Sequence, residues 1–131
     1  MGGNVELAIS QSASRYGINR KALERVVWNE SRGNIKAGMN GSNYSAGVAQ
    51  ISRSVWRSYS NLPYADASKP MYYQQNIDVA AQYLKALHKR FGNWTIAIAA
   101  YNEGPTLMRR ILSGQRGLSP ITQKYIAGFA V

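Results

Sequence analysis

The chain has no cysteine, a single histidine and only four prolines in 131 residues. Without cysteine there is neither a disulfide framework nor a thiolate nucleophile, and one histidine cannot build the clusters that zinc sites usually draw on. Cysteine peptidases and His-rich zinc hydrolases are therefore excluded. A serine triad would have to be built on His88, and no G-x-S-x-G elbow accompanies it. His88, beside Lys85 and Lys89, reads as a surface or boundary residue. No apolar run approaches the roughly 20 residues of a membrane-spanning helix, and the start Met1-Gly2-Gly3-Asn4 lacks the basic and apolar regions of a signal peptide. Acid is scarce too: Glu6, Glu24, Glu30, Asp66, Asp78 and Glu103 stand against sixteen Lys and Arg, a formal net charge of +10. A field of that sign points to an anionic polymer or surface as partner.

The length suits one domain over residues 1–131, large enough to bury about two-thirds of its surface without staples. Apolar residues recur at helical spacing, which predicts an all-α fold. The expected first helix starts after Asn4 as N-cap, with Val5, Ala8, Ile9 and Ala13 inward and Gly17 past its end. Asn19 caps a second, with Leu23, Val26 and Val27 inward, ending at Ser31-Arg32-Gly33. Residues 33–45 are rich in Gly, Asn and Ser and read as an exposed loop. Short helical pieces are expected around Ala46–Ile51 and Ser54–Tyr59, then a loop containing Pro63 and Pro70. The strongest period runs from Tyr73 to Phe91, stopped by Gly92. Asn93 caps Trp94–Tyr101, apolar all round and hence central. Gly104-Pro105 and Ser119-Pro120 open two further helices, the last ending near Gly128.

One residue does not fit its helix. The inward face of the second helix continues from Leu23, Val26 and Val27 to position 30, which is a glutamate. Burial disfavours a carboxylate's charged form, and a general acid working near neutral pH needs that raised pKa. The alternative is a structural glutamate paired with Arg20 or Arg32. The Gly/Asn/Ser loop that follows can form the wall of a cleft.

Three segments carry a resemblance. Glu30-Ser31-Arg32-Gly33-Asn34-Ile35-Lys36-Ala37 is similar to the E-S-x-x-N-P-x-A motif of the soluble lytic transglycosylase (SLT) domain family, related in fold to goose-type lysozymes. Gly47-Val48-Ala49-Gln50-Ile51 resembles its G-L-M-Q-I, and Ala99-Ala100-Tyr101-Asn102-Glu103-Gly104-Pro105 its A-A-Y-N-A-G-P. The resemblance implies a lysozyme-like helical domain with a substrate cleft that cleaves peptidoglycan. Glu30 would be the catalytic acid and then base, Gln50 would line the cleft, and Tyr101 and Asn102 would sit beside Glu30 and the N-acetylated sugar. Tyr125 matches a last-helix tyrosine that approaches the site, and Ser45 is a candidate for the cleft wall. Tyr101 read without the family is a core aromatic, and Gln50 a helix-surface amide.

The chain departs from the family pattern at three positions. Ile35 replaces proline and Ala49 replaces methionine. Glu103 replaces alanine, where it could raise the pKa of Glu30, position water or point to solvent, the last being favoured. Glycosidases generally use two carboxylates, yet Glu30 has no obvious partner: Asp66 falls in a loop, Asp78 on the outer face of its helix, and Glu6 and Glu24 on exposed positions. One acid suits a lytic transglycosylase, in which the sugar's own 6-hydroxyl closes on the anomeric carbon to give a 1,6-anhydro end. The substrate's N-acetyl group would stabilise the positive charge, with no metal or organic cofactor. A lysozyme-type muramidase is the alternative product chemistry. A basic helical nucleic-acid-binding module or an inactive wall-binding module are the alternatives from another class. Trp56, Tyr72 and Tyr73 read either as aromatics that stack on sugar rings or as ordinary core and rim residues. The expected partner is peptidoglycan glycan, with no specific nucleic acid, the expected state a monomer, and the expected location the bacterial cell wall, with a phage or a bacterial origin equally compatible.

Overall fold

The computed structural model describes residues 1–40 and 44–129. Among these, seven α-helices build the fold: α1 Gly3–Tyr16, α2 Arg20–Ser31, α3 Arg53–Tyr59, α4 Tyr73–Phe91, α5 Trp94–Glu103, α6 Pro105–Leu112 and α7 Pro120–Ile126. The fold is all-α, as the periodicity predicts. Asn19 Oδ1 accepts from Ala22 N at 2.9 Å, and Ser52, Asn93 and Ser119 cap α3, α5 and α7 in the same way; each supplies an acceptor to an otherwise orphaned N–H. The first helix differs from expectation: it starts earlier, with Gly2 as N-cap and no side-chain cap bond.

The long α4 packs on α1 and on α5, and α5 in turn touches α2, α6 and α7. Ala97–Ala100 are buried throughout, so the apolar α5 is the central post. Asp78 turns toward α1 rather than outward, accepting from the Arg15 guanidinium at 2.7 Å and from the Ser12 hydroxyl. Its helix buries the flank that meets α1, and the Asp78–Arg15 pair closes the edge of that contact. The loop with Pro63 and Pro70 is wound into two 3₁₀ turns, Tyr64–Ser68 and Pro70–Tyr72. Trp56 is fully buried with its indole N–H on Leu62 O at 2.8 Å, which makes it a core residue. His88 is half-buried, its ring stacked on Trp94 with centroids 3.7 Å apart.

The segment after α2 brings the main correction. Residues 41–43 of the Gly/Asn/Ser stretch lie outside the described residues; on either side, β1 (Met39–Asn40) and β2 (Ser45–Ala46) pair antiparallel. Ala46–Ile51 is not helical. Ala46 and Ile51 exchange both backbone bonds, at 2.9 and 2.8 Å, and close a tight loop between them. Gly47 (φ 81°) and Gln50 (φ 50°) sit in the left-handed region, which a helix cannot contain. Asn76 of α4, fully buried, fills the loop: its Oδ1 accepts from Ala49 N at 2.8 Å and its amide donates to Ala46 O and Ala67 O at 3.0 Å each. A Cβ on Gly47 would lie 2.3 Å from the Asn76 amide nitrogen and 2.2 Å from Ala67 O, so the glycine is required by space as well as by φ.

Candidate active site

Glu30 lies in the last turn of α2, where the apolar stripe of Leu23, Val26 and Val27 carries it toward the interior. Burial pushes its carboxyl up to about 7 from the ordinary 4.5. One contact works against that rise: the Tyr125 hydroxyl donates to Glu30 Oε2 at 2.7 Å and favours the charged form. The arginines that could have neutralised Glu30 are engaged elsewhere. Arg20 binds Glu6 and Glu24, and the Arg32 guanidinium stacks over Trp28 at 4.8 Å. Among the described residues no cation is within ion-pair reach of Glu30, which removes the structural-pair alternative.

Two phenols face this acid from different helices. Tyr125, on α7, and Tyr101, on α5, are both pushed well above the ordinary tyrosine range, first by burial and then by the Glu30 charge. Tyr101 Oη donates to Ala49 O at 2.7 Å, and Ser31 Oγ donates to Val48 O at 2.6 Å. The three motif segments are thus tied together in space: the end of α2, the Ala46–Ile51 loop and the end of α5. Gln50 and Ser45 serve the loop itself. Gln50 donates to Gly38 O and Gly47 O and accepts from Ser45 Oγ at 2.8 Å, so the amide expected to face sugar spends most of its bonds holding the wall.

A cavity of about 230 Å³ adjoins this group, lined among others by Gln50, Tyr83, Tyr101 and Asn102. Tyr83 leans on Tyr101 with ring centroids 5.4 Å apart. Asn102 is exposed and donates through Nδ2 to Thr122 Oγ1 at 2.7 Å. A larger hollow of about 460 Å³ opens on another flank of α2, between Met1, Trp28 and Phe129. Its two carboxylates, Glu6 and Glu24, are both bound to Arg20, so it offers no free acid.

Over this constellation, the model of the transglycosylase SLT domain family matches residues 7–123. The chain belongs to this family. Its members are lysozyme-like and act on peptidoglycan. The SLT match spans all three motif segments and stops two residues before Tyr125, which the hydrogen bond to Glu30 nevertheless brings to the site.

Glu103 departs from expectation within this SLT domain. It does not point to solvent: its side chain is 5% exposed, and Oε1 accepts from Ser119 N at 3.1 Å and Thr122 Oγ1 at 2.7 Å. Those bonds, first among them the one from Ser119, hold its carboxyl below the usual range. No carboxylate contributes to the raised pKa of Glu30. Sequence reasoning missed two residues that build the site, Asn76 and Thr122, both fully buried polar side chains.

Proposed function

We propose that this SLT domain is a peptidoglycan lytic transglycosylase that cleaves the β-1,4 bond between N-acetylmuramic acid and N-acetylglucosamine with Glu30 as its one acid and base. The observation that carries the reading is the isolation of Glu30. Glu6 and Glu24 share Arg20, Asp66 binds Lys69, Asp78 binds Arg15, and Glu103 binds the start of α7. Glu30 alone of these acids has a phenol for its partner in place of a cation or a helix start. The engagement of the other five carboxylates favours a one-acid reaction over a two-carboxylate hydrolysis.

Glu30 in its protonated form gives its proton to the glycosidic oxygen as the C–O bond breaks. The resulting carboxylate then takes the proton of the muramyl 6-hydroxyl, which attacks the anomeric carbon and closes the 1,6-anhydro ring. The proton lost in the first half is regained in the second, and no water is consumed. A pKa of about 7 lets the same group serve both halves near neutrality. Tyr125 holds one carboxyl oxygen and leaves Oε1 for the substrate. Asn102 offers its side-chain carbonyl to an N-acetyl N–H, Tyr101 walls the sugar site, and Gln50 with Ser45 keeps the facing loop in shape. The whole of 1–131 acts as one catalytic domain, a monomer working at the bacterial cell wall, where the +10 charge favours adhesion to anionic polymers.

Digestion of purified peptidoglycan followed by mass spectrometry tests the chemistry. Anhydro-muramyl ends are expected; new reducing ends carrying one added water would identify a lysozyme-type hydrolase instead. Positioned proton transfer contributes about 10²–10⁴-fold in rate, so Glu30→Gln should fold and nearly abolish lysis.

A further inference from the structure

Glu103 is the residue by which this chain departs from A-Y-N-A-G-P, and its carboxylate is buried in a contact that the proposed chemistry does not use. It ends α5 and reaches the first turn of α7. Its Oε1 collects the backbone N–H of Ser119, the N-cap of α7, and the hydroxyl of Thr122. That hydroxyl is fully committed: it donates to Glu103 and accepts from Asn102 Nδ2 at 2.7 Å and Ser119 Oγ at 2.9 Å. Thr122 is also fully buried, so the network cannot trade its partners for water. Three residues farther on, on the same face of the helix, is Tyr125. The opposite end of α7 is fixed to α2, where Asn29 and Arg25 donate to Tyr125 O at 2.8 and 3.2 Å.

We propose that Glu103 is a positioning residue: by gripping Ser119 and Thr122 it sets the rotation of α7 about its own axis and so delivers the Tyr125 hydroxyl to Glu30. A helix of seven residues has little stability of its own and takes its pose from what holds its ends. Turning α7 by a few tens of degrees would carry a phenol hydroxyl out of hydrogen-bond reach of Glu30, because that atom lies far from the helix axis. The inference rests on Glu30 as the acid for its catalytic consequence but not for its geometry.

The test follows the Glu30 carboxyl by carbon NMR through a pH titration in the whole chain, with peptidoglycan clearing measured in parallel. Tyr125→Phe keeps the ring and removes the hydroxyl, and should move the Glu30 midpoint upward by about half a unit or more. Glu103→Ala should move it in the same direction and slow clearing by about tenfold. Glu103→Gln retains a carbonyl oxygen able to accept both bonds made by Oε1, and should restore both readouts. Combined with Tyr125→Phe, Glu103→Ala should move the midpoint no further, since the hydroxyl it positions is already gone. Thr122→Val removes the same link with an isosteric apolar residue and stands in for Glu103→Ala if that variant fails to fold. A midpoint that is unchanged or lowered in Glu103→Ala and Thr122→Val, or that shifts equally with and without the Tyr125 hydroxyl, overturns the proposal. Clearing that survives Glu30→Gln while the midpoint coupling persists would instead overturn the catalytic reading of Glu30 and leave the positioning intact.

Discussion

Replacing Glu30 by glutamine should make the protein more stable at alkaline pH, by an amount that the burial of Glu30 sets. In the unfolded chain the carboxyl titrates near its ordinary 4.5, whereas in the folded protein burial holds it at about 7. Below pH 4.5 both states are protonated and the neutral carboxyl carries no penalty. As pH rises, the unfolded chain releases its proton first, so stability falls by about 1.4 kcal/mol per unit until the folded carboxyl ionises as well. Above pH 7 the accumulated loss is about 3 kcal/mol. Glutamine has the same shape, can still accept from Tyr125 and never ionises, so it escapes this loss. Denaturant unfolding of wild type and Glu30→Gln at about pH 4 and about pH 8.5 measures it. The two should be nearly equal in acid, and the variant should be ahead by about 3 kcal/mol in base, or about 10 °C in Tm. Glu6 and Glu103, whose carboxyls are held low by Arg20 and by the start of α7 respectively, act with the opposite sign in acid and cancel in the comparison. A difference independent of pH, or a variant less stable than wild type in base, would refute the argument that an uncompensated buried carboxyl occupies position 30.

On the proposed chemistry, in which protonated Glu30 breaks the bond, the rate of peptidoglycan clearing by the wild type should fall as pH rises through about 7; Tyr125→Phe should shift that limb to higher pH. Asn76→Ala should cost about 2–4 kcal/mol in chemical denaturation, since it strands Ala49 N and Ala67 O in the interior and takes one of two donors from Ala46 O. Gly47→Ala should be comparably damaging and should lower clearing as well, because the added methyl meets Asn76 and Ala67 O. Retention of wild-type stability by either variant would show that the loop is not held as described.

The fold is legible where local signals agree with packing. The Asn19, Asn93 and Ser119 starts, the Gly17 and Gly92 stops and the apolar α5 all act within a few residues, and the helices they bound are found. The Ala46–Ile51 loop is not legible in the same way, because its shape is imposed by Asn76 across thirty positions of sequence and by two left-handed residues. Yet the signal for Asn76 is of the kind that exposes Glu30: a polar side chain on the buried face of a helix, one position before Ile77 and one turn before Ala80. The outward reading of Glu103 fails for a related reason. Its partners, Ser119 and Thr122, come from an element sixteen or more positions away, and helical period says nothing of what docks beyond a helix end. Gln50 shows the converse. Its place in a family motif suggests contact with sugar, while its φ and its bonds to Gly38 and Gly47 show a residue shaped by the demands of a turn.

The hydrogen bond from Tyr125 to Glu30 joins residues 95 positions apart, and α7 is the last of the seven helices to leave a ribosome. An emerging chain can form α2, and with it Glu30, long before the phenol that covers the acid exists. Until α7 docks, the Tyr125 hydroxyl that holds Glu30 Oε2 is missing from the carboxyl. Docking of a seven-residue helix is therefore the step that completes the hydrogen bonding of the carboxyl. A nascent or partly unravelled molecule therefore lacks the Tyr125–Glu30 contact, which only a chain that has finished folding can make.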